Sequence, residues 1–280
     1  MKAKLVAGLV AIALGGFTSC GNILEENGVI NNVAQNGTGE LRINLNQDPS
    51  VNVISKAGNF DGSKVTLSEA EIDEFDIKVS DVTGLDGKYK DIKAKTATAS
   101  AGEHTITATY GNMTKSFAFD TPCFSGTQNV TVKANEAVTG DVTCKLSNSI
   151  IVIDASALAT FKDAATITNI VAITGEVTKD TELTLGISLL DTESELKTGT
   201  LYVKSDLTDA KIVLDGVLKN DTSRKFRAIA DIKKETNVGA GNKYNVKYTL
   251  STSQGSLKIT VNVNGAVTQQ DIPVTINPYK

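Results

Sequence analysis

The stretch NVTVKANEAVTGDVTCKL, residues 129–146, decides the fold class. Two runs alternate apolar and polar residues around a turn-forming centre, so that Val142, Cys144 and Leu146 share one face of the second run. Alternation at period two is the mark of a half-buried β-strand, and two such runs across a short polar connection make a hairpin. The same period recurs upstream in GELRINLN (Leu41, Ile43, Leu45), FDIKVSDV (Phe75, Ile77, Val79) and HTITATY (Ile106, Ala108, Tyr110). Between these runs lie Asp61-Gly62, Asp86-Gly87 and Gly111-Asn112, pairs that tolerate the positive φ of tight turns.

A second set of strands is predicted from SIIVIDA through TITNIVAI, ELTLGISLL, TLYVKS, KIVLDG, KFRAIADIKK, KYNVKYTLS, SLKITVNV and DIPVTINP. Helix is expected only in SEAEI, where Ser68 and Glu71 have capping-box spacing, and in SALATFKDA from Ser156. The break near Leu146 to Asn148 predicts two bodies of comparable size, an N-terminal β-sandwich over 39–146 and a C-terminal one over 147–280. No long Pro or Gly linker joins them, so packed or stiffly joined bodies are expected.

The N-terminus has a different character. MKAKLVAGLVAIALGGFTSC begins with Lys2 and Lys4, continues through an apolar run from Leu5 to Leu14 and ends on small residues before Cys20. That order is a secretory signal, and the run falls short of the roughly 20 residues a spanning helix needs. The ending FTSC before Gly21 resembles the bacterial lipobox, which implies that residues 1–19 are removed and that Cys20 carries the lipid. Several acyl chains on one residue give stable anchoring where a single chain does not. Residues 20–38, rich in Asn and Gly, read as a flexible tether. Within it, Glu25 and Glu26 resemble the acidic surface-export signal of Bacteroides-type lipoproteins, and equally suit solvated linker charges.

Charge and composition exclude other classes. The chain has 28 basic and 32 acidic side chains, and loss of Lys2 and Lys4 with the signal takes the net charge from −4 to −6. Nucleic-acid binding needs a concentrated positive surface, so it is not expected. Aromatics are 5% and tryptophan is absent, which counts against a stacking platform for sugars. Cys123 lies several residues before the strand that would face Cys144, so Cys144 reads as a small buried hydrophobe and no disulfide is expected.

Candidate chemistry is sparse. His104, the single histidine, reads as a surface turn residue at a strand start, and it cannot build a multi-histidine metal site alone. No GxSxG elbow accompanies it. The glycines of VGAGNKY, Gly239 and Gly241, lack the Lys-Ser/Thr of a phosphate loop and read as a strand-connecting turn. The acidic runs DEFD (Asp73 to Asp76) and DTESE (Asp191 to Glu195) lack the glycine punctuation of a calcium loop. The expectation is a non-enzymatic protein with no cofactor and no metal.

The run AGEHTITATYGNMTKSFAFDTPCFSGTQNVTVKANEAVTGDVTCKLSNSIIVI, residues 101–153, resembles the central block of an uncharacterised two-domain lipoprotein family of Bacteroides-type bacteria. The resemblance rests on Gly102, Ala108, Gly111, Ala118, Phe119, Asp120, Pro122, Gly126, Cys144, Lys145, Leu146 and Asn148, with Cys123 standing where the family has an aromatic. GELRINLN and KITVNVNGAVTQQDIPVTINP fit the same family. More widely, such proteins resemble the fimbrillin-like (type V pilus) superfamily, which implies an all-β fold of two tandem transthyretin-like sandwiches and an outer-membrane, surface-exposed place in a fimbrium or adhesive structure. The implied partners are the membrane through the lipid, other fimbrial subunits, and host or bacterial surface ligands. In those pilins an arginine-specific protease trims the first strand. Here Arg42 is the one basic residue available, and its place inside GELRINLN favours a polar-face role in an intact strand. The rival reading, a surface glycan-binding lipoprotein for nutrient capture, requires Tyr89, Tyr202, Tyr244, Tyr248 and Tyr279 to converge on one surface.

Overall fold

The computed structural model describes residues 37–53, 64–233, 237–253 and 256–272, which belong to one compact unit. The signal, Cys20, the tether with Glu25 and Glu26, the Asp61-Gly62 pair and Tyr279 lie outside the described residues.

The chain is all-β. Its first nine strands are β1 (Thr38–Gln47), β2 (Asn52–Val53), β3 (Asp76–Val79), β4 (Gly87–Lys88), β5 (Ala97–Ser100), β6 (Gly102–Tyr110), β7 (Phe117–Phe119), β8 (Phe124–Val132) and β9 (Ala137–Leu146). Seven of them form a sheet in the order β4-β3-β6-β8-β9-β1-β5. Most pairs are antiparallel, but β1 runs parallel to β9 from Glu40↔Ala137 to Gln47↔Cys144. The sheet curls on itself: a Cβ added at Gly140 of β9 would strike the Ile106 side chain of β6. The predicted alternation is met, with Leu41, Ile43, Leu45, Phe75, Ile77, Val79, Ile106, Ala108, Val142, Cys144 and Leu146 all in one core.

The remaining strands are β10 (Ser149–Ile153), β11 (Ala165–Ile173), β12 (Ile187–Ser188), β13 (Leu201–Val203), β14 (Lys211–Leu218), β15 (Lys225–Asp231), β16 (Asn242–Ser253), β17 (Ser256–Val263) and β18 (Ala266–Ile272). They form a sheet ordered β18-β17-β16-β10-β13-β7, with β2 beside β16, and a four-stranded sheet ordered β12-β11-β14-β15. Both sheets contribute to a second core, where Tyr244, Tyr248 and Ile259 meet Ile170, Ile212 and Ala228.

The two cores are laced together. Phe117 of β7 belongs to the second core, whereas Tyr202 of β13 belongs to the first. Adjacent residues of β10 divide between them, Ile150 in the first and Ile151 in the second. The period-two pleat of one strand that serves two cores explains this division. Strands β5 and β7 were not anticipated: ATAS and FAF have too few bulky residues or too little length to show a period.

Helix is confined to short pieces. Helix α1 (Glu69–Ile72) has the predicted capping box, with Ser68 and Glu71 satisfying each other's backbone N–H groups. Helix α2 (Tyr89–Ile92) follows β4. Helix α3 (Ala155–Leu158) starts one turn-residue earlier than expected, because Asp154 rather than Ser156 accepts the backbone N–H of Ala157. ELTLGISLL is largely irregular, holding a 3-10 turn at Leu183–Leu185 and only two strand residues.

Candidate functional site

The first strand of the described residues, β1, is sewn in on both sides. β1 pairs with β9 along eight residues and with β5 from Thr38↔Ser100 to Leu41↔Ala97. Leu41, Ile43 and Leu45 point into the core at 0%, 4% and 8% exposure. Each such side chain contributes about 1.5–3 kcal/mol by burial. Arg42 lies on the opposite, exposed face, and its Nε donates to Thr96 Oγ1 at 2.8 Å. Leu41 is paired with both β9 and β5, whereas Arg42 is paired with Thr139 of β9 alone.

Where the two cores meet, Asn148 and Ser149 act as a buried polar staple. Asn148 Oδ1 accepts the N–H of Cys123 at 3.2 Å, its Nδ2 donates to Thr121 O at 2.9 Å, and its own carbonyl accepts Gly241 N–H at 2.9 Å. Ser149 Oγ donates to Gly239 O and accepts from Asn242 N at 3.1 Å. Gly239 and Gly241 therefore serve a strand-connecting turn, as expected, with a locking role that the sequence did not reveal.

His104 is a correction. It lies in β6 at 2% exposure, not on a surface turn, with Nδ1 at 2.9 Å from Ser80 O and Nε2 at 2.8 Å from Ser100 O. A polar residue between Glu103 and Thr105 looked solvent-facing because its partners are backbone carbonyls, which leave no trace in sequence. The ring ties the residue after β3 to the end of β5.

The first acidic run, and Asp191 of the second, are tied into the structure. Asp73, Glu74 and Asp76 pair with Lys93, Lys90 and Lys88 at 2.6, 2.6 and 3.0 Å. Asp191 Oδ1 accepts the N–H groups of Glu193 and Glu195. Among the described residues no cluster of His, Cys, Asp and Glu could hold a metal ion, and no helix is long and apolar enough to cross a membrane. Cys123 and Cys144 are both buried and free. Cys123 sits immediately before β8 rather than several residues away, and its carbonyl accepts Ser147 N–H at 2.8 Å, so it lies opposite Ser147 and not Cys144.

The tyrosines do not converge. Tyr244 and Tyr248 are wholly inside the second core and Tyr202 is inside the first. Tyr248 donates to Ile212 O at 2.6 Å, and burial pushes the Tyr202 hydroxyl up to about 12. Tyr89 is half-buried and accepts Leu45 N–H. A sugar-stacking line built from these rings does not exist among the described residues.

The motif residues of the central block are instead a packing and capping set. A Cβ on Gly111 would meet Pro122 O, and one on Gly126 would meet Thr143 O and Cys144 Sγ. Asp120 Oδ1 accepts Thr200 N–H at 2.7 Å. With Asn148, these residues hold the crossing between cores. The family model described as a domain of unknown function (DUF4493) matches residues 37–278.

The chain belongs to the DUF4493 family.

No curated protein is similar to it in sequence. Among solved structures it is similar to the fimbrial anchor protein Mfa2 from Porphyromonas gingivalis, at 14% identity and a TM-score of 0.37, covering 82% of this chain and 98% of that one. A fimbrial assembly protein from Parabacteroides distasonis matches at 12% identity and a TM-score of 0.41, over 84% and 98% of the two chains. A protein from the same organism described as a cell adhesion protein matches at 8% identity and a TM-score of 0.42, over 85% and 100%.

One site was missed from the sequence altogether. Arg227 of β15 forms a bidentate pair with Asp215 of β14, both contacts at 2.7 Å, while its Nη1 donates to the carbonyls of Thr178 and Thr181 at 2.7 Å each. The hydrogen bonds that Arg227 donates to Asp215 raise its guanidinium above its ordinary value. Asp215↔Arg227 is a cross-strand pair, so the ion pair was legible once the hairpin register was known. Its reach to residues nearly fifty positions earlier was not.

Proposed function

We propose that this chain is a non-enzymatic cell-envelope lipoprotein of the fimbrillin-like type, a structural or adhesive element held at the outer membrane by an acyl chain on Cys20 and displayed at the cell surface. In this reading residues 1–19 are the signal and 20–38 the tether, and two transthyretin-like sandwiches, 39–146 and 147–280, form the body. Other fimbrial subunits or surface ligands are its partners, and Arg42 stays uncleaved.

The observation that carries the reading is the seat of β1. An anchored protein that bears load must pass force from its lipid into its fold, and here the tether leads straight into a strand gripped by β9 and β5. Ladder hydrogen bonds run across the strand direction, so a pull along β1 shears many at once instead of unzipping them singly. In this reading the paired acids Asp73, Glu74 and Asp76 and the enclosed His104 are structural.

Metabolic labelling with a palmitate analogue tests the anchor: label is expected on the wild-type chain and lost in Cys20→Ala. Label retained in that variant overturns the assignment. Shaving of intact cells with a protease tests the face: loss of the body marks surface display, and its survival removes adhesion. Exposure of the purified protein to an arginine-specific protease is expected to leave it intact, and a new N-terminus at Ile43 would make it a trimmed subunit.

A further inference from the structure

The four-stranded sheet has two faces. One lines the second core through Ile170, Ile212, Leu214 and Ala228. On the other, Val171, Ile173 and Val213 are covered by Val177 and Leu183 of the segment 174–186, which crosses the sheet as a strap. The strap covers only part of that face. Beside it lies a cavity of about 610 Å³ bounded by Thr168, Asp215, Val217, Lys225 and Arg227 of the sheet and by Lys179, Asp180 and Thr181 of the strap.

This cavity is held in shape by its own walls. The turn Thr178–Thr181 is locked by Thr178 N donating to Thr181 Oγ1 at 2.8 Å and by Asp180 N donating to Thr178 Oγ1 at 3.3 Å. Arg227 clips that turn to the sheet through both of its terminal carbonyls. Thr168 is the extra residue of a β-bulge between Ile167 and Asn169, a device that re-aims a side chain. A Cβ on Gly216 would strike the Phe226 ring and Thr166 O, so the sheet is filled on its core side at this point. Enclosing an Arg–Asp pair is costly in desolvation and is weak evidence for stability; what this pair achieves is the placing of the strap.

The charges in the cavity are unequal. Asp215 neutralises Arg227, whereas Lys179 and Lys225 have no ion-pair partner among the described residues. Asp180 offsets one of these two charges, so the three cations and two carboxylates of the lining leave a net charge of +1, which favours an anion. The volume far exceeds a lone inorganic ion and falls in the range of small-molecule sites, roughly 300–1,000 Å³. Thr168, Thr181 and the Asp180 carboxylate suit hydroxyl groups, and Val217 offers an apolar contact. Acid groups, hydroxyls and C–H faces together describe a carboxylated sugar.

We propose that this cavity binds an acidic oligosaccharide, with Lys179 and Lys225 receiving its carboxylates and Asp180 and Thr168 its hydroxyls. The inference deepens the adhesive reading above by naming a ligand class. Its test reads binding by the purified chain, so its failure and the failure of anchoring are separate results.

The detergent-solubilised full chain is titrated calorimetrically with an oligogalacturonate, with a neutral maltooligosaccharide and oligoglutamate alongside. Binding of the uronate alone is expected, weakening with salt and at least about tenfold weaker in the Lys179→Ala/Lys225→Ala double variant. Both lysines are exposed, and an unchanged melting temperature verifies that the variant is folded. Absence of uronate binding, or equal binding by the double variant, overturns the proposal. Equal, lysine-dependent binding of oligoglutamate overturns the sugar in favour of an acidic peptide.

Discussion

The side chain of Asn148 accepts the backbone N–H of Cys123 at 3.2 Å, which joins the strand that opens the second core to the segment that opens β8. Asn148 is only 3% exposed, so no water replaces its partners if it is removed. Asn148→Leu leaves the Cys123 N–H buried and unsatisfied, at about 1–3 kcal/mol, and takes the Nδ2 donor from the half-buried Thr121 carbonyl. Urea denaturation is expected to show a lower midpoint for this variant, with both cores affected because the staple touches both. An unchanged midpoint would mean that the junction is not stapled.

His104→Phe keeps a ring of similar size and removes both contacts to Ser80 O and Ser100 O. A neutral imidazole has one N–H to give, so one of these contacts is a hydrogen bond, and its loss is expected at roughly 1–3 kcal/mol. Amide hydrogen exchange is the sharper measurement: protection should fall at the ends of β3 and β5 and persist in β16 and β17. Uniform exchange across the chain would contradict a local tie.

Gly126 faces Cys144 across the β8–β9 pair, and an added Cβ would sit 2.5 Å from Thr143 O. Backbone oxygen cannot swing away as a side-chain tip can, so Gly126→Ala forces the strands apart. A destabilisation of about 1–3 kcal/mol is expected from overpacking. Gly84→Ala, with nothing within 4 Å of its Cβ, serves as the control for positive φ alone, since Gly84 has φ of 94°.

Burial pushes the Cys144 thiol up to about 12 and the Cys123 thiol upward as well. Because the thiolate is the reactive form, the folded protein should resist alkylation at pH 8, where an exposed thiol reacts. Unfolding in guanidinium should expose both to the reagent without prior reduction. Mass spectrometry reads the number of labels directly, and a requirement for reductant would establish a disulfide.

Glu71 offers a pH test with a defined sign. Hydrogen bonds from the Ser68 backbone and hydroxyl hold its carboxyl below the ordinary value. A carboxyl depressed in the folded state stabilises above its unfolded value and loses that contribution as pH falls through the folded one. Glu71→Gln should therefore flatten the acid limb of the stability profile slightly, by an amount small enough to require direct comparison with wild type. A steeper acid limb in the variant would contradict the capping role.

The sequence alone determined most of the longer strands and, where the alternation is strict, which face of each is buried. Leu41, Ile43 and Leu45 alternate with polar neighbours, and a pleat can satisfy that pattern in only one way. It determined the capping box at Ser68 and Glu71 for a similar reason, since both partners lie within one turn. The partners of β1 and β10, the seat of His104 and the reach of Arg227 to the strap were decided by tertiary structure. Each of those depends on backbone groups brought together from distant positions, and backbone carbonyls are identical at every residue. A side chain announces its own chemistry in the sequence, but the fold alone chooses which carbonyl it meets.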